Sequence, residues 1–137
     1  MFEDDCLDFT NRKTVLVNKD LYTFKEGKPV STYKIANFTS SAHLVKTTLA
    51  ILPGVKCLVS FSVSLIMGKI ILTGGIDSRC VKSAHTYVMD LKMNRWQQNP
   101  DLNQARRGHS SMSLVDKTFV ACGWDNDDVL FNSVEML

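Results

Sequence analysis

The chain has 137 residues, of which 45% are hydrophobic and 22% charged, a composition typical of one soluble globular domain. Its formal net charge of +2 is too balanced to attract a nucleic acid or an anionic membrane. The longest uncharged stretch, residues 57–68, is shorter than the ~20 apolar residues that span a bilayer, and the acidic N-terminus is unlike a signal peptide. We therefore expect a cytoplasmic protein that binds neither nucleic acid nor membrane.

The cysteines give no sign of a disulfide framework or of a metal site. They are scattered, with no C-x-x-C pair and no histidine at ligand spacing: Cys6, Cys57, Cys80 and Cys122. In a reducing compartment such residues are free and mostly buried thiols. We expect no metal and no cofactor.

The first 57 residues show the weakest repeat pattern in the chain. The stretch DLYTFKEG at 20–27 is a weak echo of a later strand and glycine, which suggests a degenerate structural unit or a lead-in segment. Residues 40–52 have a second interpretation as a short helix, capped by Ser40 or Ser41 and stopped by Pro53.

Residues 57–73 predict two consecutive strands. In CLVSFSVSLI, at 57–66, apolar residues alternate with Ser60, Ser62 and Ser64, which is the period of two of a half-buried strand. Met67-Gly68 is a tight turn, and KIILT at 69–73 is a strand rich in β-branched residues. Gly74-Gly75 end it, where the backbone needs positive φ or a close neighbour.

Two further strands complete this unit. A loop at 76–84 leads to a third strand at 85–90, and a turn at 91–94 leads to a fourth at 95–98. The strand SSMSLV at 110–115 then begins another copy, because the sequence matches itself at an offset of 48. The matched pairs are Lys69 with Lys117, Gly75 with Gly123, and Asp77 with Asp125. We divide the chain into 1–57, a complete unit at 58–98 and a truncated unit at 99–137.

The spacing of glycine, aromatic and charged residues in and between these strands resembles that of the kelch-repeat β-propeller family. The matching residues are Gly74, Gly75, Tyr87, Asp90, Trp96, Pro100, Leu102, Arg106, Gly108, His109 and, in the next copy, Gly123. The resemblance covers 58–137 well and 13–57 weakly, and Cys122 stands where the family has the first glycine of the pair. It implies an all-β protein built of four-stranded antiparallel blades, about two to three of them in an incomplete ring.

The structural motif residues have expected roles within and between blades. We expect Trp96 and Tyr87 to pack between blades, as large aromatics of a repeat do. Arg106 and His109 are expected to hydrogen-bond to strand ends or to a neighbouring blade. His85 has no paired acid nearby in sequence and is expected to be a solvated or hydrogen-bonded residue rather than a base.

The length of the chain is short for a closed ring. A propeller needs roughly 4–8 blades, whereas 137 residues hold only about 2.9 repeat lengths. We therefore suspect a fragment, a truncated product or part of a larger ring. Self-association through open blade edges is expected, with these residues on the outer face of the last copy: Met112, Leu114, Phe119 and Val120.

The long loops predict the binding surface, because function prefers loops on a rigid scaffold. Strand alternation places the loops 76–84, 99–109 and 124–131 on one side and the tight turns on the other. The partner-binding candidates on the loop side are Arg79, Lys82, Arg106, Arg107, Trp124, Asp125, Asp127 and Asp128.

The function that this reading favours is a non-catalytic scaffold that binds another protein. The family resemblance implies a ubiquitin-ligase substrate or a cytoskeletal component as the partner. Two alternatives remain open: an enzyme propeller resembling galactose oxidase, which holds copper, and a non-functional truncated fragment. No catalytic residue is predicted, since no nucleophile elbow, phosphate-binding loop or H-E-x-x-H is present.

Overall fold

The computed structural model describes residues 12–27, 30–36, 45–55 and 57–137. Within these ranges it contains no helix, so the prediction of an all-β chain is confirmed, and nothing there could cross a membrane as a helix. The strands, β1 to β11 in chain order, are Arg12–Val17, Asp20–Lys25, Ser31–Ala36, Val45–Thr48, Ser62–Ile66, Lys69–Thr73, Thr86–Asp90, Arg95–Asn99, Ser110–Leu114, Lys117–Ala121 and Val134–Met136.

The strands form three antiparallel meanders, in which each strand pairs with the next one along the chain. The first sheet contains β1 to β4, the second contains β5 to β8, and the third contains β9 to β11. Lys69 and Lys117, which the 48-residue offset superposes, each begin the second strand of their sheet. The sequence repeat is therefore a structural repeat.

The helix considered for residues 40–52 is wrong over the part that the structure describes. Val45–Thr48 is strand β4, paired with β3 through Tyr33 and Thr48, and residues 49–52 continue without helix. β-Branched residues at 45, 47 and 48 favour the strand. The proposed cap at Ser40 or Ser41 lies outside the described residues.

The strand predicted from residue 57 begins only at Ser62. Ser60 has a φ of 55°, in the left-handed region, and this kink separates β5 from an isolated bridge between Val59 and Ile76. Within β5 the alternation holds, because Ser62 and Ser64 face the third sheet while Val63 and Leu65 pack on the opposite side.

The first and second sheets share an apolar core. Phe24 and the partly exposed Val15 contribute from the first sheet, and β6 contributes Ile70 and Leu72. Trp96 of β8 packs edge-to-face on Phe24, with 6.1 Å between ring centroids, and its indole N–H donates to the Ala50 carbonyl at 2.9 Å. This aromatic pair fastens the two sheets together.

The second and third sheets meet through small polar side chains. The hydroxyls of Ser62 and Ser111 lie 2.7 Å apart, and Ser113 donates to Ser64 at 3.1 Å. Val120 was expected on the outer face of the third sheet, but it is fully buried because it shares a face with its cross-strand partner Ser111. Its neighbours on the other face are open to solvent: Met112 and Leu114, both 62% exposed.

Candidate functional site

The meanders give the protein two unlike ends. Tight turns at 18–19, 67–68, 91–94 and 115–116 form one end, which we call the turn end. The connections 74–85, 100–109 and 122–133 form the other, which we call the long-loop end. All the predicted partner-binding candidates belong to these three connections.

Two of the long loops are built in the same way around an aspartate. The Asp77 carboxylate accepts the backbone N–H groups of Arg79 and Val81, at 2.8 and 3.0 Å. Asp125, 48 positions later, accepts those of Asp127 and Val129, both at 2.8 Å. The bonds from Val81 and then Arg79 hold the pKa of Asp77 below its usual value. These carboxylates therefore fix loop shape.

A shared carboxylate joins the loops to one another. Asp128 accepts the Lys82 ammonium at 2.9 Å and the Arg107 guanidinium at 3.2 Å, and these two hydrogen bonds lower its pKa. The Lys82 backbone N–H also donates to the Asn126 side chain at 3.0 Å. We call the three charged residues, Lys82, Arg107 and Asp128, the loop clasp. It connects all three long loops.

Lys82 was expected to contact a partner, and its burial corrects that expectation. Its side chain is only 6% exposed, since the ammonium points to Asp128 rather than to solvent. A buried ammonium without a counter-charge is costly. The Lys82 ammonium therefore stabilises the loop clasp and is not available to a partner.

Arg106 was also expected on the binding surface, and the structure places it inside. Its side chain is fully buried, and it donates to the Glu135 carboxylate at 2.6 Å and to the Cys122 carbonyl at 2.8 Å. Its guanidinium carbon also lies 4.6 Å from the Phe131 ring centroid. No partner can reach this guanidinium, so its role is to hold the third sheet to the segment before it.

Sequence reasoning missed Glu135, although a signal was present. Its carboxylate also accepts the backbone N–H groups of Asn103 at 2.6 Å and Gln104 at 3.1 Å. Glu135 stands 48 positions after Tyr87, which is buried in the preceding copy. A carboxylate in an apolar position of a repeat indicates a buried cation nearby.

Gly74 and His109 make the tight junction between the second sheet and the 100–109 connection. A Cβ on Gly74 would lie 2.5 Å from both the Arg106 carbonyl and the His109 ring. His109 Nε2 lies 2.9 Å from the Thr73 hydroxyl. Burial, and then the charge of Arg106, lower the pKa of His109 to about 4, so this histidine is neutral and structural at pH 7.

The matched positions in the third sheet are more open. Cys122 has a φ of 61° where Gly74 has 60°, and its side chain is exposed. Gly123 remains obligatory, because a Cβ there would lie 2.7 Å from the Arg107 carbonyl. The turn thus tolerates a side chain at its first glycine position only.

A cleft of about 640 Å³ opens beside the long-loop end, between Val55, Cys57 and Leu58 on one side and Asp77 and Val81 on the other. Tyr87 and His85 line it, and burial raises the pKa of the Tyr87 phenol. His85 is both exposed and hydrogen-bonded, as expected, but its Nδ1 partner is an acid that the sequence did not indicate, the Asp101 carboxylate at 3.0 Å. The register of the β7–β8 hairpin could have found this pair, because Thr86 opposes Asn99.

The side chains that remain available at the long-loop end are a subset of those predicted. Arg79 is open, with 81% of its side chain exposed. The others are Arg107, Trp124, Asp127 and Asp128. In the described part of the chain, no three histidine, cysteine or acidic residues are grouped to hold a metal ion.

Comparison with known proteins gives a fold likeness. No protein-family model matches the chain, and neither does any curated protein. A solved structure described as that of YjhT superposes with a TM-score of 0.72 at 20% sequence identity. The match covers 85% of this chain and 35% of YjhT, so the chain spans about a third of that protein's length.

Proposed function

We propose that the chain is a segment of a kelch-type β-propeller that binds another protein through its long-loop end and performs no chemistry of its own. The support for the propeller is the stacking of meandering sheets that repeat about every 48 residues, together with the glycine, tryptophan, arginine and histidine positions. By resemblance, the partner is a ubiquitin-ligase substrate or a cytoskeletal component in the cytoplasm.

The observation that carries the binding proposal is the loop clasp. Lys82, Arg107 and Asp128 fix three loops to one another, so the exposed residues around them are held in place before a partner arrives. Preorganised loops lose little conformational entropy on binding. Arginine and tryptophan are the residue types that most often anchor interfaces, and Arg79 and Trp124 flank the clasp.

The proposal is tested by affinity purification from cells that express three forms of the chain. The forms are the unchanged chain, the double variant Arg79→Ala/Trp124→Ala, and a control with Lys92→Ala/Arg95→Ala at the turn end. Each double variant truncates two large exposed side chains, so both should give the same circular dichroism spectrum as the unchanged chain.

We expect one set of proteins to be recovered with the unchanged chain and the turn-end control, and lost with the long-loop variant. Loss of two interface anchors should weaken binding about 30-fold or more. Equal recovery by both double variants would contradict the long-loop end as the binding surface.

A further inference from the structure

The turn end carries exposed apolar side chains where the backbone disfavours them. Met67 is 77% exposed with a φ of 47°, and Val115 is 84% exposed with a φ of 57°. A β-branched residue with positive φ is a rare conformation. The matching turn of the first sheet has the residue that suits it, Asn18 at 56°. The second and third sheets therefore bear a conformational cost without gaining burial in return.

These side chains lie together at one end of the molecule. β5 and β9 run side by side in the same direction, as the serine contacts 62–111 and 64–113 require, so Met67 and Val115 end at the same level. Ile70 pairs with Met89, which brings the 91–94 turn and the 62% exposed Met93 beside them. Because the turns lie beyond the strand ends, face-to-face packing of sheets leaves them open.

Charge is divided between the two ends of the protein. The turn end has exposed basic residues beside its apolar tips: Lys19, Lys69, Lys92, Arg95 and Lys117. Its acidic residues are fewer, since Asp20 is paired with Lys34, and Asp90 and Asp116 are the other two against these five basic residues. The acidic side chains of the long-loop end are Asp77, Asp101, Asp125, Asp127 and Asp128. The long-loop end also carries Arg79, Lys82 and Arg107, so basic residues outnumber acidic ones at the turn end and not at the long-loop end.

We infer that the turn end docks on an anionic lipid surface, with Met67, Met93 and Val115 inserted among the headgroups and the basic side chains facing the lipid charge. Apolar residues combined with lysines on one surface are the pattern of interfacial membrane binding. The three tips stand on separate turns, so they fit a fluid interface better than a shaped protein surface. This inference is independent of the long-loop end and differs from the expectation that net charge alone gives.

Vesicle sedimentation of the purified chain tests the inference. The probes are vesicles of phosphatidylcholine alone and vesicles that also contain phosphatidylserine. We expect binding to the anionic vesicles and little to the neutral ones, and we expect added salt to weaken it. The double variant Met67→Asn/Val115→Asn should lower binding about tenfold or more, since two apolar contacts are lost.

The asparagine variants should fold as the unchanged chain does. Asparagine tolerates the left-handed conformation, so the melting temperature should rise by a few degrees or stay unchanged while binding falls. Lys69→Gln/Lys117→Gln should reduce binding to anionic vesicles about tenfold. The matched control is Val129→Asn, an exposed apolar residue of the long-loop end, which should bind like the unchanged chain.

Three results would overturn the inference. They are the absence of binding to anionic vesicles, equal binding to neutral and anionic vesicles, and full binding by Met67→Asn/Val115→Asn. Any of these would mean that the exposed tips serve another partner or none.

Discussion

Removal of the Glu135 carboxylate should be among the most damaging single changes in the protein. In Glu135→Ala the guanidinium of Arg106 stays buried without a counter-charge, and the N–H groups of Asn103 and Gln104 lose their acceptor. Loss of one partner of a buried ion pair costs about 3–5 kcal/mol of unfolding free energy. That is a large part of the roughly 5–15 kcal/mol that stabilises an ordinary domain.

Urea denaturation followed by tryptophan fluorescence measures this cost. A double-mutant cycle isolates the ion pair from the rest, with Arg106→Met, Glu135→Leu and the two combined. The paired apolar residues leave no buried charge, so the combined variant should be more stable than the sum of the single losses predicts, by about 2 kcal/mol or more.

Two outcomes would refute this reasoning. If Glu135→Ala costs less than about 1 kcal/mol, the pair must be solvated, since exposed ion pairs contribute about that much. If the cycle is additive, the two side chains do not interact in solution, and the third sheet is held by other contacts.

Four further predictions concern other parts of the fold. Trp96→Ala should lower the unfolding free energy by about 3–5 kcal/mol in chemical denaturation, because it empties the site beside Phe24; a loss below about 1 kcal/mol would mean that Trp96 is exposed. The pKa of His109 lies at about 4 in the folded protein, below its unfolded value, so the unfolded state binds more protons between pH 6.5 and 4. Stability should therefore fall by about 3 kcal/mol as pH drops through that range, and a His109→Gln variant measured by the same denaturation should fall less. Cys122→Gly should increase the unfolding free energy by about 0.5–1 kcal/mol, because glycine accepts the φ of 61° without strain, and calorimetry should show a higher melting temperature. Light scattering should detect self-association of the chain, weakened by Met112→Ser because that residue lies on the open face of the third sheet; a monodisperse monomer would contradict this expectation.

The second sheet could be predicted closely because its signals are local. KIILT coincides with β6, and the strand predicted at 85–90 differs from Thr86–Asp90 by one residue. Alternation and glycine pairs are properties of neighbouring residues, so they are visible in one sequence. The first sheet is as complete as the second, but it lacks the tryptophan and glycine pair that mark the repeat. Main-chain pairing between strands does not require those residues. The first sheet therefore forms without them, although its sequence resembles the repeat only weakly.

The candidate site was predictable as a region and not as a set of contacts. Alternation of strand direction placed the long loops at one end, and the structure has them there. Which side chains face solvent depends on ion pairs between residues far apart in sequence, such as Lys82 with Asp128 and Arg106 with Glu135. No local pattern announces such pairs, so two basic residues expected at the surface proved to be buried.

Site-specific photo-crosslinking in cells tests most directly the claim that the long-loop end binds another protein. A benzophenone amino acid replaces Trp124 at the long-loop end in one form and Met93 at the turn end in another. The two positions are both exposed, so each probe is free to react with whatever lies against it. We expect a discrete protein adduct from position 124 and no protein adduct from position 93. A protein adduct from position 93 with none from position 124 would contradict it.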